Sequence, residues 1–260
     1  MTGDSPLVAS FVRELSNIGI VDGDFLLVHS RVGKAPLPEV LACLNALVRS
    51  VGPKGTLAIP TFNFGFCSGA PYDYVKTPSE MGLLTEFARR DGRARRTHHP
   101  VYGFALFGKD ADALAATTRN ISAYGDDSIF GELRRRNGKI LLIDLKIEES
   151  FTFFHHVEEM VGCDYRFHKI FSGPVIDESG QSSVQSYQVF VRNLEMGVET
   201  DVAPMAERLE SLGLVRHGKL GRWSLRLLEA GAVFEATRRV PIDEPGLLRR
   251  VASRGQDKSL

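Results

Sequence analysis

Short, continuous apolar runs alternate along the chain with stretches whose apolar residues recur every three to four positions. Leu7, Val8, Phe11, Val12 and Leu15 form a helical stripe over Pro6 to Asn17, ended by Gly19. Phe25-Leu26-Leu27-Val28 follows as a buried-type strand, with His29 and Ser30 leaving it. Pro36 to Ser50 is helical again, with Val40, Leu41, Leu44, Leu47 and Val48 on one side, and Thr56 to Ile59 is a second strand that Pro60 stops. Strand, helix and strand in this order predict a parallel crossover, hence an α/β sheet.

Residues 61–77 form an aromatic loop (Phe62, Phe64, Phe66, Tyr72, Tyr74) with no element of its own, a length that marks binding loops and lids. The pattern next predicts a helix from a Ser79 cap to about Arg90 with Leu83, Leu84 and Phe87 inward, and a strand over Phe104 to Phe107. Helices over Asp110–Thr118 and Ser128–Asn137 and a buried strand over Ile140–Ile143 follow. Tyr165–Val175 and Ser183–Arg192 alternate as an antiparallel pair around the turn Glu178–Gln181. Asp201–Ser211 and Arg222–Arg239 read as helices, and Arg249–Leu260 as a polar, frayed tail. The expected architecture is α/β, a central mixed sheet with helices on both faces, in one domain over residues 1–260 or two closely packed lobes.

The densest chemistry follows the Ile140–Ile143 strand, in Glu148-Glu149-Ser150-Phe151-Thr152-Phe153-Phe154-His155-His156-Val157-Glu158-Glu159. A strand feeding a helix through a short polar loop places side chains at the carboxyl edge of a sheet, where α/β proteins bind ligands. Ser150 and Thr152 are both suited to cap that helix. His155 and Glu158, three residues apart, share a face. A carboxylate against one imidazole nitrogen leaves the other free to take a proton. His156 and Glu159 have the same spacing, so periodicity does not choose between the pairs. Solvated helix charges beside a core-edge histidine are the competing reading.

Thr152-x-x-His155-x-x-Glu158, followed by Gly162 and Tyr165-Arg166, resembles the active-site segment of the aminoglycoside 3-N-acetyltransferase family. The likeness covers most of the chain. Val28-His29-Ser30 with Gly33 resembles the family's V-H-S-S loop, Gly55-Thr56 to Pro60-Thr61 its G-T-L-x-x-P-T strand, and Thr77-Pro78-Ser79 with Met81-Gly82 the start of its next helix. Arg96-Thr97-His98-His99-Pro100 resembles R-S-x-H-P, Tyr124-Gly125 with Ser128 a G-x-x-S element, and Gly218 with Gly221 a late glycine pair. Three positions depart from the pattern: Arg31 replaces the second Ser of the first loop, Gly103 replaces a Ser, and Glu149 replaces an Asp.

The resemblance implies an acetyl-CoA-dependent N-acetyltransferase whose α/β fold is not GCN5-like. It selects His155 as general base, with Glu158 and Thr152 as its catalytic companions. It implies acetyl-CoA along Ser30, Arg31, Val32, Arg96, Thr97, Gly103, Tyr124, Gly125 and Ser128; no metal is expected, because the histidine spacings form no recognised ligand set. Asn63, Phe64, Glu149 and Glu159 are the candidates on the acceptor side. A positioned base helps because an amine attacks a thioester only when unprotonated. Backbone N–H groups of the Ser30–Val32 loop, or the Thr152 hydroxyl, are candidate donors to the developing oxyanion.

Composition narrows the rest. With 43% apolar residues in 260, the chain can bury a full core, and 32 basic against 32 acidic residues give no bias toward nucleic acid or membrane. There is no membrane-length apolar run and no visible secretory signal, so a cytoplasmic location is expected. Cys43, Cys67 and Cys163 are odd in number and include no C-x-x-C pair, and H-E-x-x-H is absent. A cysteine nucleophile and a metal site among His98, His99, His155, His156 and His168 are therefore minor alternatives. The run Arg89, Arg90, Arg93, Arg95 and Arg96 is either a solvated helix end or a source of phosphate ligands. Together with Arg31, Arg166 and Lys169, and weighed against Glu148, Glu149, Glu159, Asp126 and Asp127, this positive charge favours an acceptor amine on an anionic or neutral carrier, such as a nucleotide-linked amino sugar or related biosynthetic amine. An aminoglycoside acceptor, as in a resistance enzyme, is the alternative. A non-catalytic coenzyme A or sugar-binding module is the alternative of another class, and a homodimer is compatible with all three.

Overall fold

A computed structural model describes residues 5–117 and 122–251. The predicted helix end at Thr118 and the tail beyond Val251 lie outside the described residues. In chain order the helices are α1 (Pro6–Ile18), α2 (Leu37–Val51), α3 (Leu83–Arg90), α4 (Ala111–Thr117), α5 (Ile129–Arg135), α6 (Phe153–Val161), α7 (Ala203–Ser211), α8 (Ala230–Thr237) and α9 (Val240–Asp243). The strands are β1 (Phe25–Ser30), β2 (Thr56–Pro60), β3 (Tyr72–Asp73), β4 (Arg95–Arg96), β5 (Phe104–Gly108) and β6 (Lys139–Ile143). They continue with β7 (Arg166–Ile176), β8 (Ser182–Arg192), β9 (Val198–Thr200), β10 (Arg216–Leu220), β11 (Trp223–Glu229) and β12 (Arg249–Val251).

Seven strands form the main sheet in the order β10-β11-β6-β1-β2-β5-β4. β6, β1 and β2 run parallel, and β11 and β5 join them antiparallel on either side. The sheet is mixed, as the sequence predicts. Its centre is apolar on both faces, which is why β1 and β6 read as continuous apolar runs. Phe25, Leu27, Ile140 and Leu142 belong to one core cluster, with α5, α6 and α8. Leu26, Val28, Leu141 and Ile143 belong to the other, with α1, α2 and α3. Among the described residues no helix is long and apolar enough to cross a membrane.

Four expectations are corrected. β1 runs on through His29 and Ser30, because β6 supplies partners in Leu142 and Ile143. Helix α3 begins at Leu83, after Gly82, rather than at Ser79. The Ser79 hydroxyl is occupied by the Met81 amide (3.2 Å) and the Thr85 hydroxyl (2.8 Å), and Leu83 is exposed while Leu84 is buried. The aromatic loop is not structureless: it holds a 3-10 turn at Gly65–Ser68, and β3 pairs with β7. Finally, Arg222–Arg239 is not one helix. Its first half is β11, which lies against β6 in the sheet, and only Ala230–Thr237 is helical. Trp223, Leu225 and Leu227 are the buried alternate positions of that strand, but Leu228 breaks the alternation and makes the segment look helical.

Candidate active site

The parallel strands β6, β1 and β2 all end at one edge of the sheet, and β4, parallel to β2 through two antiparallel pairings, ends there too. Ser30, Arg31, Val32, Arg96, Thr97 and Gly103 gather along this edge. So does Asp144, where the chain leaves β6 with φ 54°, a left-handed value uncommon outside glycine. Its N–H bonds Ser224 O at 2.8 Å. A 3-10 turn at Ile147–Glu149 then leads into α6.

Helix α6 forms because Phe153, Phe154 and Val157 bury one stripe, and it stops at Gly162, whose φ of 66° closes the last turn. Thr152 occupies the N-cap, but neither its hydroxyl nor that of Ser150 caps the helix; this corrects the expected capping role. Its carbonyl accepts the His155 N–H at 2.9 Å.

The helix resolves the ambiguity between the two His/Glu pairs. His155 Nδ1 lies 2.7 Å from Glu158 Oε2, and His155 lines a cavity of about 790 Å³. His156 is fully buried, its Nδ1 donating to the Tyr124 carbonyl at 2.6 Å. Glu159 accepts from the Ser122 hydroxyl (2.6 and 2.9 Å) and pairs with His168 (3.2 Å). Only the first pair combines a buried carboxylate with an imidazole that opens on a cavity.

Glu158 is 1% exposed and is held by three groups: His155, the Tyr165 hydroxyl (2.9 Å) and Arg166 Nε, an ion-pair contact at 2.7 Å. Burial alone would raise its pKa, but His155, Arg166 and Tyr165 outweigh burial and hold the carboxyl below its ordinary value. For His155, burial and the cationic Arg166 and Arg192 lower the pKa, against a raising influence from Glu158. The imidazole is therefore mostly neutral near pH 7, with Nδ1–H given to Glu158 and Nε2 left for the cavity. The Tyr124 ring stands edge-on to His155 at 5.3 Å and packs 4.7 Å from the Tyr102 ring, and both tyrosines line the cavity.

The sequence marks Arg166 and Lys169 only as positive charge after the helix, and Tyr102, Tyr165 and Arg192 are not among its site candidates. Tyr165 and Arg166 stood in the quoted motif, and only the fold shows that both turn back onto Glu158.

The remaining candidates take other positions. Arg31 and Glu149, two of the three departures from the family pattern, pair with each other through two hydrogen bonds of 2.8 and 3.0 Å. Asn63 braces its own loop, donating to Pro78 O at 3.1 Å and accepting from Gly65 N at 3.0 Å, and Phe64 is exposed beside Tyr102. Neither they nor Glu149 nor Glu159 lines the cavity. Ser128 is buried and caps α5 by accepting from Gly131 N, and a side chain at Gly125 would crowd Asp127 and Glu159.

The sheet edge suits an extended ligand rich in amide and phosphate groups. His29 Nε2, Thr61 Oγ1 and Arg96 Nε and Nη2 are buried there without a hydrogen-bond partner among the described residues. Arg96 is otherwise fixed by the carbonyls of Tyr74 and Thr77, and the Thr97 hydroxyl accepts from Phe104 N at 2.9 Å. The other arginines of the basic run are spent on salt bridges: Arg89 and Arg90 to Glu86, Arg93 to Asp91, and Arg95 to Asp112. No group of three or more metal-ligating side chains occurs among the described residues. Burial raises the thiols of Cys43 and Cys163 to about 12.

Known proteins resemble this chain in sequence and in fold. The family model described as aminoglycoside 3-N-acetyltransferase matches residues 27–240. Aminoglycoside N(3)-acetyltransferase IV of Salmonella sp is 26% identical over 161 residues, which span 60% of this chain and 60% of that protein. The YokD protein of Bacillus subtilis superposes with a TM-score of 0.77 at 22% identity, over 92% of this chain and 94% of that one. The structure described as "AAC-IIIb binary with CoASH" superposes with a TM-score of 0.74 at 20% identity, over 89% of this chain and 94% of that one. Since the matching family model spans more than half of the sequence, the chain belongs to the aminoglycoside 3-N-acetyltransferase family.

Proposed function

We propose that the protein transfers an acetyl group from acetyl-CoA to a primary amine, with His155 as general base. The observation that carries this reading is the His155–Glu158 pair, 2.7 Å apart and set against a cavity of about 790 Å³. The coenzyme-bound relative and the unsatisfied polar atoms at the sheet edge support acetyl-CoA as donor.

When bound, acetyl-CoA supplies an activated thioester acyl group. His29, Thr61 and Arg96 are the residues that would hold it at the sheet edge, beside the Ser30–Val32 loop. His155 Nε2 takes the proton from the attacking amine, a step worth about 10²–10⁴ in rate. Glu158, by holding Nδ1–H, fixes the tautomer and stabilises the imidazolium. Arg166 and Tyr165 keep Glu158 ionised and in place. The Thr152 hydroxyl, free of capping, is a candidate donor to the developing oxyanion. Overall one C–N bond forms and one C–S bond breaks, and the proton taken by His155 returns to the departing sulfur or to solvent.

The names of the relatives favour an aminoglycoside acceptor over a nucleotide-linked amino sugar, and this is the second reading. Thiol release from acetyl-CoA, followed across aminoglycosides, nucleotide-linked amino sugars and simple amines, tests both. Tight coenzyme A binding without release on any amine would instead make the chain a binding module.

A further inference from the structure

The walls of the His155 cavity carry charge that the transfer chemistry does not use. Arg166, Lys169, Arg192 and Glu195 are its charged lining residues. Arg166 is committed to Glu158. Lys169 is exposed, its amine 5.1 Å from the centre of the Phe171 ring, and among the described residues it has no carboxylate partner. Arg192 is half-buried, and among the described residues the one hydrogen bond of its side chain is a 3.4 Å contact to the Val198 carbonyl. It is close enough to His155 to press on its protonation. Among the described lining residues, the carboxylate opposing these cations is Glu195, which is exposed. Glu158 lies behind His155 with its oxygens occupied, and Glu149 and Glu159 are paired elsewhere. The free cavity charge is therefore two cations against one anion. Phe167, Phe171 and Phe190 complete an apolar wall.

Resting on the transfer reading above, we propose that the acceptor amine belongs to a molecule that also carries an anionic group, phosphoryl or carboxyl, held by Lys169 and Arg192. A guanidinium and an ammonium with no carboxylate partner among the described residues offer donors for such a group close to the base. A polycation entering the same cavity would meet like charge from both. The amine and the anion sit on one molecule because His155 and Arg192 line one space.

The test pairs acceptors that differ only in the anion: glucosamine 6-phosphate against glucosamine, and γ-aminobutyrate against butylamine, with a polycationic aminoglycoside as the third arm. The phosphoryl and carboxyl pairs separate the two sources of charge. In the thiol-release assay, kcat/KM for the preferred anionic member should exceed its neutral counterpart by about 10- to 100-fold, as expected for hydrogen bonds to a charged group. Lys169→Glu and Arg192→Gln should abolish that preference when each acceptor pair is compared within the same variant, so that any change in His155 itself cancels, while KM for acetyl-CoA stays within about threefold. A preference for the aminoglycoside, or no difference within either pair, would overturn the inference. So would variants that raise KM for acetyl-CoA instead, because the two cations would then belong to the coenzyme. Thiol release with no amine at all would reject the transfer reading itself.

Discussion

Replacing Glu158 by glutamine removes the negative charge while nearly keeping the side chain's shape, so it tests what the buried carboxylate does. During proton transfer His155 becomes a cation 2.7 Å from Glu158 Oε2. At an effective dielectric of about 20 and a charge separation of about 4 Å, the carboxylate stabilises that cation by about 4 kcal/mol. Arg166, in contact with the same oxygen at 2.7 Å, offsets part of this. A net loss of about 2–4 kcal/mol corresponds to a fall in kcat of about 30- to 1000-fold. KM for acetyl-CoA should change little. The pH profile supplies a second reading. Glu158 raises the His155 pKa, whereas burial, Arg166 and Arg192 lower it. Without the carboxylate the lowering influences act alone, so the acid limb of kcat moves to lower pH even as the plateau falls. Stability responds in the opposite direction of pH. The Glu158 pKa is depressed on folding, so its contribution is present above the ordinary carboxylate range and is lost as pH falls through the folded value. Glu158→Gln forfeits that contribution and leaves Arg166 unpaired, at a cost of about 3–5 kcal/mol. The assay is therefore run at a temperature where circular dichroism shows the variant folded. A folded variant whose kcat falls less than threefold, or whose acid limb does not move, would refute the role given to Glu158.

Three further outcomes follow from the same geometry. His155→Ala should lower kcat by about 10²–10⁴ with the fold intact by circular dichroism; His156→Ala should leave turnover within several-fold but cost about 1–3 kcal/mol in a denaturant titration, because the buried Tyr124 carbonyl loses its donor. Single Cys43, Cys67 and Cys163 replacements by Ser or Ala, and chelators, should leave turnover within several-fold, and mass spectrometry should trap no acetylated cysteine; parallel initial-rate lines would contradict this. Arg31→Ser frees Glu149 at the sheet edge, so KM for acetyl-CoA should change while Tm stays within about 2 °C, and a shift in Tm alone would assign the pair to stability.

The sequence was legible where one period dominated. β1 and β6 were read as buried strands because both faces of the sheet are covered, and α1 and α2 because their stripes are clean. Choosing His155 over His156 required the family motif, since both have a carboxylate three residues on. The structure supplies the physical reason, with His156 turned into the core and tied to a backbone carbonyl. Residues that act through distant pairing were invisible. Nothing in Arg31 or Glu149 taken singly says that they meet across 118 positions. Arg192 reaches the cavity only because β8 folds back on β7 in full register. The β11 strand was missed because Leu227-Leu228 satisfies either period, and its partner β6 is about 80 residues away.

That last feature has a consequence for how the chain is made. β6, which leads into the His155 helix, has β1 on one side and β11 on the other. Residues 139–143 emerge from the ribosome long before residues 223–229. Until the later segment arrives, Ile140, Leu141, Leu142 and Ile143 form an unpaired apolar edge, the kind of strand that recruits other chains. The turn that leaves β6 toward the His155 helix is tied to that later segment by the Asp144 N–H bonded to Ser224 O. Chains interrupted before β11 should therefore aggregate rather than form a smaller enzyme, and synthesis rate through residues 144–222 sets how long that edge stays open.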